Sequence, residues 1–259
     1  MHIPIFQVDA FSSAVFSGNP AAVCPLEAWL PDETLQAIAA ENNLAETAFF
    51  VRTGDRFHLR WFTPVCEVEL CGHATLASAH VLFQELNQLG DTLRFDTQSG
   101  ELTVKRNGDR LMMDFPSRPP GKVDVHPELI GALGAAPAEI LGAGDYLVRY
   151  NSADQVRSLA PDIEALKRVD RFAVIVTAAG TDCDFVSRFF APSRGIPEDP
   201  VTGSAHCTLI PYWANQLGRT ALHARQISAR GGELFCKLFG DRVEIAGNTA
   251  LFLKGHIRI

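Results

Sequence analysis

The sequence predicts a protein of mixed strands and helices built as two similar halves, and three observations carry that reading. The chain has 259 residues, more than one domain of ordinary size needs. The pentapeptide "RWFTP" from Arg60 returns as "RFFAP" from Arg188; each copy is followed by acids, Glu67 and Glu69 in the first and Glu198 and Asp199 in the second. Each then passes through a Gly-containing turn into an Ala-rich apolar run, "CGHATLASAH" from Cys71 and "TGSAHCTLIP" from Thr202. An ordered series of shared features points to a duplicated strand–loop–helix unit. With 47% hydrophobic and 20% charged residues, there is apolar material for a core in each half.

The opening "MHIPIFQVDAF" alternates as a strand does. It lacks the charged start and long apolar stretch of a signal peptide, and no apolar run reaches bilayer length, so a cytoplasmic location is expected. "PDETLQAIAAENN" has Pro31 early, acids in its first turn and Leu35, Ile38 and Ala39 on one face, which predicts a helix from about Pro31 to Glu41. "FHLRWF" and "DFVSRFF" predict strands, ended by Pro64 and Pro192, which have no N–H to donate. Gly72 lies eight residues after Pro64 and Gly203 eleven after Pro192, so the second copy carries three extra residues. "ATLASAHVLFQEL" spaces Leu76, Ala79, Leu82, Phe83 and Leu86 by threes and fours, a helix with one buried stripe. "GELTVKRNGDRLMMDFP" and "RFAVIVTA" read as strands, "SRPPG" as a boundary between Pro116 and Gly121, and "ALFLKGHIRI" as a last strand. The halves are therefore expected at residues 1–116 and 117–249, with the strand at 250–259 free to return to the first.

A formal net charge of -7 argues against nucleic acid or an anionic membrane surface as partner. The six cysteines are scattered without a CxxC pair, so neither a disulfide framework nor a metal site is expected, and each thiol reads as a small buried hydrophobe.

Two helices with bare N-termini suggest a use. The first turn of a helix has unpaired N–H groups and roughly half a positive charge, so a carboxylate binds there without Lys or Arg. Two such ends, at Gly72 and Gly203, would grip one anionic ligand. Glu46 sits among Leu44, Ala45, Ala48, Phe49 and Phe50, and burial there would raise its pKa and suit it to accept and return a proton; an exposed loop or cap position is the alternative. His73 stands at the first helix start and Asp199 just before the second. Together the three form a constellation able to move a proton between two positions of a bound acid.

The segments "VDAFSSAVFSGNPAAVC", "NLAETAFF", "FTPVCEVELCGHAT" and "EDPVTGSA", spanning Val8 to about Ala205, resemble the phenazine biosynthesis PhzF-like family. That resemblance implies an α+β fold of the diaminopimelate epimerase type: two pseudo-symmetric halves, each a curved, mostly antiparallel, barrel-like sheet around a central helix, with the site in the cleft between them. It implies Glu46, His73 and Asp199 as catalytic residues. The substrate carboxylate would meet the amides around Gly72, His73, Gly203 and Ser204, and Asn19 would border the pocket. It further implies a cofactor-independent isomerase acting on a small carboxylate, and a possible homodimer.

One position departs from the pattern: the phenazine-pathway enzyme has Ser before the glutamate, whereas this chain has Ala45. Loss of a hydrogen-bonding partner of that kind shifts specificity. The same fold also hosts racemases and epimerases with two opposed thiols. Here Cys71 fills the first position but Thr202 the second, and a hydroxyl cannot serve as the matching base. Epimerisation through Cys71, or carboxylate binding without turnover, are the alternatives.

Overall fold

In the computed structural model, which describes residues 1–259, alternation of apolar and polar residues in "HIPIFQVDA" gives strand β1 (His2–Ala10). It is followed by β2 (Asn19–Leu26), α1 (Asp32–Asn42), β3 (Glu46–Thr53), β4 (Arg56–Phe62), β5 (Glu67–Val68) and α2 (Gly72–His80). A meander of β6 (Thr92–Thr97), β7 (Gly100–Asn107) and β8 (Arg110–Pro116) comes next. β1 pairs antiparallel with β2, β2 parallel with β3, and β3 antiparallel with β4; β4 is antiparallel to β5 and parallel to β6. Each parallel step needs a crossover, and α1 and α2 supply them.

Beyond "SRPPG" come α3 (Leu129–Leu133), β9 (Glu139–Gly142), β10 (Tyr146–Arg149), α4 (Ala153–Ser158), α5 (Ile163–Leu166), β11 (Val174–Ala179), β12 (Phe185–Ala191) and β13 (Ile196–Asp199). The long helix α6 (Gly203–Leu217) leads into β14 (Ala221–Gln226), β15 (Gly232–Phe239) and β16 (Arg242–Gly247). β9–β10 is antiparallel, β10–β11 parallel, β11–β12 and β12–β13 antiparallel, β12–β14 parallel and β14–β15 antiparallel. This repeats the order of pairings from β1 to β7. The last strand, β17 (Thr249–Arg258), runs antiparallel along β1. The chain divides into one compact unit of Met1–Asp114 with Ala246–Ile259 and another of Phe115–Ile245. The architecture is α+β, and no helix is long and apolar enough to cross a membrane.

The repeat seen in the sequence has a structural basis. Arg60 donates from Nε and Nη2 to the two carboxylate oxygens of Glu67, both at 2.7 Å, and its guanidinium lies 5.1 Å from the Phe62 ring. Arg188 does the same to Glu198, at 2.7 and 2.9 Å, and lies 5.0 Å from the Phe190 ring. A bidentate fork fixes the planes of both groups, so each pair staples a β-strand to the short strand that returns beside it. Glu67 precedes Gly72 by five residues, as Glu198 precedes Gly203. The three extra residues of the second copy therefore fall before Glu198, where Pro192–Arg194 makes a turn of 3-10 helix closed by Gly195 at φ 81°.

The expectation of a single buried stripe on the first helix is corrected: every residue from His73 to Phe83 is buried, and Leu86 is 46% exposed. A helix buried on all faces is enclosed rather than laid on a surface, and α2 packs against β1, β2, β3, β7 and β17. It continues into a π-helical turn over Val81–Glu85, where Leu86 N–H donates to the Val81 carbonyl at 2.9 Å. α6 carries Pro211 in its interior, which removes the donor that the Cys207 carbonyl would use. Arg118 N–H of the "SRPPG" segment takes that carbonyl instead, at 2.8 Å.

Candidate functional site

Glu46 is the first residue of β3, paired in register with Ala21 of β2. Helix α1 ends at Asn43 in the left-handed region, φ 49° and ψ 34°, so only a short turn intervenes before the strand. Asn42 Nδ2 then donates to Thr47 Oγ1 at 3.1 Å and ties the turn to the strand. Of the two readings of Glu46, the structure takes the buried one: the residue is 9% exposed.

The imidazole of His73 lies against it. His73 Nε2 is 3.1 Å from Glu46 Oε2, while Asn19 Nδ2 is 3.3 Å and Cys71 Sγ 3.5 Å from His73 Nδ1. Nδ1 thus faces Asn19 and Cys71 while Nε2 faces the carboxylate, so that in the imidazolium Nε2–H points at Glu46. The approach is close but off the hydrogen-bond axis, for Oε2 accepts no aligned bond. Such a bond tightens when a ligand completes the site. Burial opposes the imidazolium, yet its neighbours Cys71 and Glu46 more than offset this and hold His73 well above the ordinary histidine range. The Cys71 thiol is pushed up to about 11, by burial first and then by the Glu46 charge. It is therefore protonated at neutral pH, and Glu46 is the charge that His73 answers.

Asn19, fully buried at the start of β2, is placed by Gly18, whose φ of 71° and close approach to the Ala10 carbonyl leave no room for a side chain. Cys71 is the N-cap residue of α2, and no side chain caps that helix. Gly72 is its first residue and has no positive φ, so it contributes a missing side chain beside uncapped amides rather than a special turn. Glu46, Cys71 and His73 each offer one donor atom, all within 4.8 Å of one another, close enough for the three to hold a metal ion together. Sequence spacing missed this set because one member comes from a neighbouring strand.

The second helix start, in the other unit, is built differently. Its N-cap residue Thr202 makes no cap either; its hydroxyl donates to Asp199 Oδ2 and its N–H to Gln226 Oε1 at 2.9 Å. Gln226 Nε2 donates to the Asp199 carbonyl at 2.8 Å. Asp199 is buried, whereas Ser204 is exposed on the first turn. Gln226 was not singled out in the sequence. The available signal was its phase: in "ALHARQ" it follows Leu222 and Ala224 on the buried face of β14. One turn into each helix a side chain binds the N-cap carbonyl, Thr75 Oγ1 to Cys71 at 2.6 Å and His206 Nδ1 to Thr202 at 2.8 Å.

Register makes the two copies comparable residue by residue. Thr47 pairs with Phe62 and Val174 with Phe190, which places Ala173 where the first copy has Glu46. Counting from the N-caps, Thr202 stands for Cys71 and Ser204 for His73; counting from the stapling acids, Asp199 stands for Val68. The framework is duplicated but the chemistry is not.

The chain matches the family described as phenazine biosynthesis-like protein over residues 8–255. An uncharacterized isomerase of Pseudomonas aeruginosa is 55% identical over 260 residues, covering 100% of both chains. A crystal structure of a PhzF-family phenazine biosynthesis protein from Enterococcus faecalis superposes with a TM-score of 0.98 at 47% identity, covering 100% of both chains. A hydroxyproline epimerase from Agrobacterium vitis, at 11% identity and a TM-score of 0.61 over 99% of this chain and 91% of that one, shares the fold. Matching the family over nearly its whole length, and similar from end to end to proteins named isomerases, the chain belongs to the phenazine biosynthesis-like family and is an isomerase.

Proposed function

We propose that the protein is a cofactor-independent isomerase that relocates a proton on a small, cyclic or unsaturated substrate bearing a carboxylate, with Glu46 as the acid–base group. The observation that carries this reading is the buried Glu46–His73 pair beside the uncapped start of α2, with Ala173 and Ser204 at the corresponding places of the second copy. One carboxylate, not two opposed bases, then takes the proton from one carbon and returns it to another as the electron pair shifts along the unsaturated system. His73 Nε2–H orients Glu46 and balances its charge. The amides at Gly72 and His73 are assigned to the substrate carboxylate, those at Gly203 and Ser204 to a second anion contact, and Asn19 borders the imidazole at Nδ1. Asp199 holds the Thr202 hydroxyl and is assigned the third catalytic position.

The test is incubation in heavy water with a panel of unsaturated and cyclic amino acids. Deuterium uptake at carbon is expected for at least one. Tight binding across the panel without exchange would support a carboxylate-binding protein instead.

Epimerisation through Cys71 makes a different prediction. A buried thiol held protonated, opposite no second thiol, is a poor base. Cys71→Ser is expected to cost about tenfold or less in exchange rate, whereas a loss of about a thousandfold or more, the scale of removing an essential group, would restore the thiol mechanism.

A further inference from the structure

We propose that Glu46, Cys71 and His73 form a binding site for a borderline-soft divalent cation, with Zn2+ as the type, and that its occupancy switches off proton transfer. The geometry is that of a three-ligand site already folded. The edges from His73 Nε2 are 3.1 Å to Glu46 Oε2 and 4.0 Å to Cys71 Sγ, and all three donors lie within 4.8 Å. Tetrahedral zinc, with bonds of about 2.0–2.3 Å to N, O and S, has edges of roughly 3.3–3.6 Å, so small rotations of the side chains close the triangle.

The donor set selects the metal. Thiolate and imidazole suit Zn2+ and Co2+ and disfavour Mg2+ and Ca2+, which take oxygen ligands. The charges also close: a carboxylate and a thiolate neutralise a divalent ion, which matters because all three residues are buried. Three protein ligands leave a fourth position open to water or to a carboxylate.

Binding proceeds with loss of two protons to solvent, that of the Cys71 thiol, since only the thiolate is a ligand, and that of His73 Nε2, which must be bare to coordinate. His73 coordinates through Nε2 and carries its remaining proton on Nδ1, where the Asn19 amide turns to present its oxygen as the outer-sphere acceptor. The lone pairs of Glu46 and His73 that serve proton transfer are then engaged by the metal. The binding step stands by itself; the inhibition rests on the acid–base role proposed for Glu46.

The experiment uses the full chain freed of metal with a chelator. Titration with Co2+ is expected to give one ion per chain and a thiolate-to-metal charge-transfer band, and calorimetry with Zn2+ in buffers of different ionisation heat is expected to show proton release. Mg2+ should give no binding. Cys71→Ser should abolish the band and weaken Zn2+ by at least about a hundredfold, more than loss of an outer-sphere partner costs, while Cys66→Ser, at an exposed cysteine, should leave both unchanged. If Cys71→Ser does not fold by circular dichroism, His73→Gln serves as the second variant. Absence of the band, or a band that survives Cys71→Ser, overturns the site. In heavy water, stoichiometric Zn2+ should stop isotope exchange and chelator should restore it. Exchange that persists with Zn2+ bound overturns the inhibition. Metal binding in a protein that never exchanges overturns the function proposed above and leaves the site standing.

Discussion

Glu46, His73, Asn19 and Cys71 come from β3, the start of α2, the start of β2 and the N-cap of α2, and only the His–Cys pair is close in sequence. The sequence marked Glu46 by its apolar neighbours and His73 by its place at a helix start. That Cys71 touches the imidazole, and that Asn19 meets it at the same nitrogen, depends on the side-by-side pairing of β2 and β3 and on where α2 begins relative to them, which no local pattern encodes. Gly18 is a case of a weak signal with a firm cause. A Cβ there would lie 2.2 Å from the Ala10 carbonyl oxygen, at a φ of 71°. Gly18→Ala is expected to destabilise by about 1–3 kcal/mol, the cost of backbone strain of this kind, and to slow exchange by displacing Asn19. Urea unfolding reads the first effect and the isotope assay the second; unchanged stability would mean that the backbone yields without strain.

The duplicated elements were legible because their stapling residues are strong signals: Arg, Phe and Pro in fixed order, then an acid. Replacing Arg60 or Arg188 by Lys keeps the charge but removes the fork, together with the bond from Arg60 to Asp32 or those from Arg188 to the Val156 and Leu159 carbonyls. Each change is expected to cost about 1–2 kcal/mol, since hydrogen bonds to charged groups are worth that much or more and both guanidinium groups are largely shielded from solvent. A loss in one unit only would show that the pairs are alike in geometry but not in energy. The helices differ most in their histidines. His206 is fully buried in α6 with Nε2 unpartnered, and burial, opposed only by its bond to the Thr202 carbonyl, pulls its pKa down to about 4. The unfolded chain binds this proton near pH 6.5 and the folded chain near 4, so the stability that neutral His206 contributes is complete above 6.5 and is lost as pH falls toward 4. Over that window the loss attributable to His206 is on the order of 3 kcal/mol. His206→Asn, which can keep the bond to Thr202, should flatten the stability–pH curve by this amount in urea titrations; parallel curves would contradict it.

At the scale of the whole chain, one framework occurs twice and one set of proton-carrying groups occurs once. The sequence showed the duplication through its repeats, and the resemblance of four segments implied the curved sheets and central helices. The divergence between copies became legible only through register: Ala173 stands for Glu46 and Ser204 for His73 because strand pairing aligns them, not because their flanking residues look alike. Gln226 stayed hidden for the same reason, being 27 residues from the Asp199 carbonyl it binds. The central claim is that the Glu46 carboxylate carries the proton. The most direct test is Glu46→Gln, with isotope exchange and ligand affinity measured on the same preparation. Glutamine keeps the size and one acceptor but cannot carry the proton, so exchange should fall by about a hundred- to ten-thousand-fold while affinity for the carboxylate ligand stays within about threefold, because the anion contacts assigned above are backbone amides. Full exchange retained in Glu46→Gln would contradict the account and move the base to His73 or Asp199.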